Sequence, residues 1–242
     1  MINEKFNEIT AFCKANSSTE IIKKYSRYFK EGFDGYGIEQ KVFEQQRDQW
    51  IEQWKDEMTL ENYLDLGDLI FQKGRYEEKS FVIAFIHSKR DAYTKEAFTR
   101  IGNWFDYGID NWATTDVLCM LVFSSFLIDN VIGFDELKSW NKSESEWQRR
   151  VVPVTLVELL KKDLQPGDAL STIEPLMLDQ SEYVQKGIGT LLRGLWKKHP
   201  ESIETFLLKW KDQCGRLIVQ YATEKMDKEY RKKFRKTKSQ KV

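Results

Sequence analysis

The run SEWQRR at 145–150 and the run SEYVQK at 181–186 begin alike, end on a basic residue and are each followed by an apolar stretch; they stand 36 residues apart. The echo extends backwards. Tyr76-Glu77-Glu78-Lys79 precedes SFVIAFI, and the stretch ending at Asp116 precedes VLCMLVF, so Lys79, Asp116, Arg150 and Lys186 lie 37, 34 and 36 residues apart. A period of this length marks stacked helix-turn-helix repeats, in which no pair buries its apolar face alone and each neighbour completes the core. The polar position of each repeat then lines one face, which predicts a basic, acidic, basic, basic ladder along a groove. Four helices that merely start with a polar residue before their core face would give the same ladder without a groove, and both readings stay open at this level.

Outward from these runs the helical period continues. Phe6, Ile9, Phe12 and Cys13, then Ile21, Ile22, Tyr25 and Tyr28, recur at the spacing of one helix face, and long alternating runs of strand type are absent. Helix starts are expected at Ser18 or Thr19, at Thr59 with Asn62 three residues on, and at Ser202. Stops are expected near FDGYG (33–37), Gly74, Gly133, QPGD (165–168) and His199-Pro200. The fold class is therefore all-α, with helices of about 10 to 18 residues joined by short turns. No linker divides the chain, which predicts one domain over 1–225 followed by a basic tail, 226–242. Gly187 and Gly189 inside a helical run each cost about 1 kcal/mol relative to Ala, so close approach of another helix or of a backbone is expected there. Pro153 implies that a helix either begins nearby or bends.

Composition closes off other classes. With 242 residues and 41% hydrophobic content the chain can bury a sizeable core, which excludes disorder as the main state. Cys13, Cys119 and Cys214 are far apart and lack CxxC spacing, so neither a disulfide framework nor a structural zinc site is expected. MINEKFNEIT carries charges where a signal peptide needs an apolar block, and the longest apolar stretch, Val117 to Phe123, is far short of a membrane span. A soluble, cytoplasmic, monomeric protein with no membrane partner is the expectation. His87 and His199 are the only histidines and lack a second ligand at metal spacing, and no GxGxxG or GxxxxGK[ST] loop occurs. No metal and no cofactor are expected.

Charge is balanced in total, 38 basic against 38 acidic residues, but unevenly placed. Residues 226–242 hold eight Lys or Arg against Asp227 and Glu229, leaving the rest of the chain net acidic. Duplex DNA is usually held by a surplus of cations, because released counterions supply most of the sequence-independent affinity. The tail reads either as a solvated, frayed terminus or as an arm that supplements a weak DNA surface.

NWATTD (111–116), then WQRR (147–150), then YVQKGIG (183–189) resemble, in that order and spacing, the DNA alkylation repair family, which comprises HEAT-like-repeat DNA glycosylases and their relatives. KYSRYFKEGFDGYGIEQ (24–40) and LLRGLWKKHPESIETFLLKW (191–210) extend the resemblance over nearly the whole chain. It implies an α-solenoid of antiparallel HEAT-like helix pairs bent into a C, with duplex DNA, alkylated or not, across the concave side. Active members excise N3- or N7-alkylated purines. By the same resemblance Arg150 would hold a phosphate beside the lesion, with Arg149, Lys79, Lys186 and Thr190 as further DNA-binding positions. Trp112 and Asp116, four apart, share one helix face and set a carboxylate beside an aromatic wall. Loss of a cationic alkylpurine releases a neutral base, so the need is to stabilise an oxocarbenium-like sugar, a task suited to the Asp116 carboxylate with Trp112 against the sugar. Trp112 as one more core-filling Trp and Asp116 as an acid paired to Arg149 or Arg150 remain the alternatives. The chain departs from the family at Thr190, where active members carry a second cleft Trp. Trp196, six residues on, points elsewhere. A relative that keeps the solenoid to bind nucleic acid or a protein partner without catalysis is the other expectation.

Overall fold

The protein is described here by a computed structural model covering residues 1–30 and 32–237. The described residues contain helices and no strand. They pack as two compact units, Met1–Phe126 and Leu127–Val242, between which the sequence marks no linker.

Unit one contains α1 (Ile2–Ala15), α2 (Thr19–Tyr25), α3 (Gln40–Trp54), α4 (Leu60–Lys73), α5 (Tyr76–Ser88), α6 (Lys95–Gly102) and α7 (Trp112–Leu118). A π-helical turn, Cys119–Phe123, extends α7 into the short α8 (Ser124–Ile128). Two layers result: α5 lies between α3 and α7, and α4 lies between α1 and α6. Aromatic rings fill the space between layers. Trp50 stacks on Trp54 at 5.1 Å, Phe85 meets both indoles while Phe81 meets Trp50, and Phe71 stacks on Trp104 at 4.3 Å. Thr59 and Asn62 form the expected reciprocal cap of α4, with Asn62 N–H donating to the Thr59 hydroxyl at 3.2 Å. Arg100 of α6 is clamped between Asp65 and Asp68 of α4, each at 2.6 Å, and Asp68 also accepts from the Trp104 indole at 2.7 Å.

Unit two holds α9 (Phe134–Ser139), α10 (Glu146–Leu159), α11 (Pro166–Ile173), α12 (Glu182–Trp196), α13 (Pro200–Trp210) and α14 (Arg216–Ala222). Here α12 packs between α10 and α14, while α11 packs against α9 and α13. The two sequence echoes fall where the period requires, at the N-termini of the equivalent helices α10 and α12. Ser145 accepts from Gln148 N–H and Ser181 from Val184 N–H, each at 3.4 Å, which makes both serines N-caps. The glycines of α12 are contact points, as their cost in a helix implied. A Cβ on Gly187 would stand 3.1 Å from the Pro153 ring, and one on Gly189 would stand 2.5 Å from Tyr221 Cβ and 2.8 Å from the Ile218 carbonyl oxygen of α14.

Three local expectations change. Ser202 does not start its helix: α13 begins two residues earlier, with Pro200 at the first helical position, where its missing N–H costs nothing. Of the two readings of Pro153, a helix that begins nearby is set aside, because the proline lies inside α10. The basic terminal segment, as far as Thr237, is docked rather than frayed. A short 3₁₀ turn, Tyr230–Phe234, buries Phe234 completely against unit two. Lys233 pairs with Glu204 at 2.6 Å, and Asp212 accepts from Thr237 N–H at 2.6 Å. Lys238 to Val242, the rest of that segment, lie outside the described residues.

Candidate nucleic-acid interface

Asn111 fixes the start of α7 by accepting from Thr114 N–H at 2.9 Å, and this sets Trp112 at the first helical position and Asp116 one turn on. Both are half-buried. The indole is held twice: its N–H donates to the Tyr28 carbonyl at 3.2 Å, and its ring stacks on Phe29 at 5.3 Å with 21° between planes. Phe29 in turn meets Phe33 at 5.1 Å, and Phe33 meets Tyr25 at 5.6 Å and Tyr76 at 5.4 Å. Trp112 is thus neither core filler nor an isolated wall. It ends a string of aromatic rings lining a cleft of about 540 Å³ whose opposite side is α3, with Gln40, Phe43 and Arg47. Tyr28, 66% exposed, and Met120, 54% exposed, stand at the mouth.

The floor of that cleft is anchored by Glu77. Its carboxylate is buried and accepts from Tyr36 N–H and Gly37 N–H, each at 2.7 Å, which fastens the loop after Phe33 to the first turn of α5. Gly37 has φ +70°, and a Cβ there would stand 2.5 Å from the Ser18 carbonyl oxygen, so the turn requires glycine. The Tyr76 hydroxyl ionises above its ordinary value, mainly because it is buried, with the charges of Glu77 and Asp116 adding to the effect. Asp116 therefore acts electrostatically on a ring that lines the cleft.

Lys79, three residues into α5 beyond Tyr76, is buried; it lines a smaller, polar recess of about 310 Å³ with Asp34, Asp110 and Asn111. Burial pushes its ammonium pKa down, while the carboxylates of Asp110, Asp34 and Glu78 act in the opposite direction. The structure thus gathers Trp112, Asp116 and Lys79 around the same aromatic segment of unit one.

The remaining positions belong to unit two. Arg149 is a structural clamp there: it pairs with Asp179 at 2.6 Å and donates to the carbonyls of Ser143 at 2.8 Å and Glu144 at 3.0 Å. Arg150 donates to the Tyr183 carbonyl at 2.5 Å, and Tyr183 packs on Trp147 at 4.6 Å. Lys186 lies 5.5 Å from the Tyr183 ring centre and 3.4 Å from Glu182. Thr190 follows one turn later on the same half-buried row of α12. Trp196 points away from that row, as the helical angle implied, donating to Glu204 of α13 at 3.0 Å. Among the described residues no group of three His, Cys, Asp or Glu side chains could hold a metal ion, and no helix is long and apolar enough to cross a membrane.

The aromatic string was missed by sequence reasoning, although its signal was present: five aromatic residues fall among the twelve from Tyr25 to Tyr36. Glu77 was missed because a glutamate at a helix start normally reads as a surface acid.

No curated protein shows significant similarity to the chain. Among solved structures, a predicted DNA alkylation repair enzyme from Enterococcus faecalis superposes with a TM-score of 0.74 at 18% identity, over 88% of this chain and 98% of that one. AlkD2 from Streptococcus mutans gives 0.60 at 22% identity, over 85% and 99%. The protein smu.31 from Streptococcus mutans UA159 gives 0.60 at 20% identity, over 85% and 100%. These likenesses establish the shared helical fold. The sequence itself matches the family model described as DNA alkylation repair enzyme over residues 9–226, and on that match the chain belongs to the DNA alkylation repair enzyme family.

Proposed function

We propose that the protein acts on alkylated duplex DNA as a glycosylase, with Asp116 as the catalytic carboxylate. What supports this is that Asp116 is half-buried one turn beyond Trp112 on α7 and acts electrostatically on Tyr76; Trp112 and Tyr76 line the aromatic cleft, and Asp116 itself is not among its lining residues. A cationic N3- or N7-alkylpurine leaves as a neutral base, so no strong general acid is required. As the glycosidic bond breaks, positive charge develops on the deoxyribose. A carboxylate about 4 Å away in an environment of intermediate polarity stabilises that charge by about 4 kcal/mol, or roughly a thousandfold in rate. The same carboxylate orients the water that attacks C1′, whose proton passes to solvent. Trp112, pinned by Phe29 and Tyr28, offers the sugar a surface that does not have to be ordered on binding. Arg150 and Lys186 of unit two are proposed to contact phosphates.

The test is release of methylated base from duplex DNA methylated at guanine N7 and adenine N3. Asp116→Asn should lower release by about 10² to 10³-fold with an unchanged circular dichroism spectrum. No release by the wild type, where an active relative works, rejects catalysis.

A second reading, lesion or DNA binding without excision, is favoured by two observations. Phe29 already covers part of the Trp112 ring, and Thr190 supplies no aromatic surface. In that case methylated duplex binds and no base is released. Absence of DNA binding at low salt would favour a protein partner instead.

A further inference from the structure

A cleft of about 820 Å³ in unit two is formed where the docked terminal segment meets the end of α13 and α14. Its floor is apolar, with Phe234 and Cys214 both fully buried. Its walls carry Lys211, Arg216, Arg231, Arg235 and Lys236, and among the described residues no carboxylate lines it. None of these five cations makes an ion pair within 4 Å among the described residues, although carboxylates are close by. Those carboxylates make their close contacts elsewhere, although Asp212 attracts Lys211 and Lys236, and Asp227 attracts Arg231, at longer range. Asp212 accepts from Thr237 N–H at 2.6 Å and from its hydroxyl at 3.1 Å, and Asp227 accepts from Glu229 N–H at 2.8 Å and Tyr230 N–H at 3.1 Å. Glu204 pairs with Lys233, Glu224 with Arg193 and Lys225, and Glu229 with Lys232. The acids of this region thus hold the backbone of the segment or pair outside the cleft, and five cations converge on it, of which Lys211 also donates to the Arg235 carbonyl and the Thr237 hydroxyl, each at 3.4 Å.

Like charges gathered on one concavity repel one another, and an anion placed among them removes that cost. Arginine predominates, three to two, and its forked donors match phosphate oxygens in pairs. The cleft is far larger than one phosphate. The side chains that would read a base edge are few, and the buried Phe234 offers no open ring face for stacking. We propose that this cleft binds a polyphosphate anion, engaging at least two phosphates at once. Successive backbone phosphates of a nucleic acid and a free oligophosphate share that chemistry.

Calorimetric titration of the full chain with tripolyphosphate, and with a short undamaged duplex, tests this at low ionic strength. Arg231→Gln/Arg235→Gln/Lys236→Gln should weaken tripolyphosphate binding at least about tenfold. Arg216→Gln, which leaves the docked segment untouched, should weaken it to a lesser extent. The charge-matched Lys161→Gln/Lys162→Gln/Lys197→Gln, on other surfaces of unit two, should bind as the wild type does. Competition by the duplex assigns the site to nucleic-acid backbone, and absence of competition assigns it to a free oligophosphate. Failure of the wild type to bind tripolyphosphate, or equal weakening in the control, overturns the proposal. Asp116→Asn should bind tripolyphosphate normally, so loss of base release and loss of this site are read separately.

Discussion

At the level of single residues, Gly189 shows how tightly unit two is assembled. The atoms that a Cβ would meet are Tyr221 Cβ and the backbone of α14, neither of which can swing aside. Gly189→Ala gains about 1 kcal/mol of helix propensity but incurs overpacking at the upper end of about 1 to 3 kcal/mol, since backbone cannot yield, so a net loss approaching about 2 kcal/mol is expected from denaturant unfolding. Gly194 is the contrast. There a Cβ meets only the tip of Leu160, a terminal methyl that can rotate, and Gly194→Ala should change stability by less than about 0.5 kcal/mol. Equal losses at both positions would refute this account of α12. The importance of Gly187 and Gly189 was legible in the sequence, because glycine inside a helical run needs a reason. Glu77 was not, since its partners are backbone N–H groups about forty residues upstream, and nothing local marks such a contact. Glu77→Gln keeps the shape but leaves an acceptor and a donor where two acceptors are needed. It should cost about 1 to 3 kcal/mol, and Glu77→Ala at least as much. An unchanged denaturation midpoint for Glu77→Gln would show that the loop is held by something else.

At the level of elements, the helix pairs were readable because apolar period, caps and the 36-residue echo all point the same way. The docked terminal segment was not readable, because eight basic residues in seventeen look like a solvated tail. What holds the segment is mostly long-range: one aromatic ring, Phe234, and the carboxylates of Glu204 and Asp212, with Asp227 of the segment itself capping the turn. Each of those carboxylates titrates below its ordinary value. Asp212 is lowered by the Thr237 N–H, and Asp227 by the N–H groups of Tyr230 and Glu229, from an ordinary 3.8. For Glu204, burial alone would raise the pKa, but hydrogen bonds from Lys233, Trp196 and Tyr230 outweigh it and lower the value from 4.5. A depressed carboxylate stabilises the folded form above its ordinary pKa, and that contribution is lost as pH falls through the folded-state value. The segment should therefore release in acid, below about pH 4, before the core of unit two unfolds. The amide NMR signals of Glu229, Tyr230 and Thr237 should move together in that window while those of Leu191 and Leu192, in the buried face of α12, stay fixed. Static signals down to pH 2.5 would sink the prediction.

For the whole molecule, a net charge of zero conceals a separation of charge, and the separation decides how DNA can be held. Arg100, Arg149, Arg193 and Lys233 are each tied to carboxylates, so the gross count of 38 cations overstates what phosphates can meet. The cations left to meet phosphates on the proposed reading are local, as in the cleft of the terminal segment. A protein that neutralises six to ten phosphates loses roughly 10³ to 10⁵ in affinity as salt rises from about 50 to 200 mM. This chain should show a much shallower response. About three neutralised phosphates give a slope near −2.7 in log K against log salt, or roughly a fortyfold loss over the same fourfold rise. Shallow dependence also means that affinity at moderate salt must come from non-ionic contacts, for which the aromatic cleft of unit one is the candidate surface. Fluorescence anisotropy of a labelled duplex across salt concentrations measures the slope directly. Tyr28→Ala, which removes an exposed ring at the mouth of that cleft, should then lower affinity by a similar factor at every salt concentration, whereas Arg231→Gln/Arg235→Gln/Lys236→Gln should flatten the slope. A slope steeper than about −5 would mean that more cations reach phosphates than the packing allows. A slope of zero would leave no phosphate contact at all.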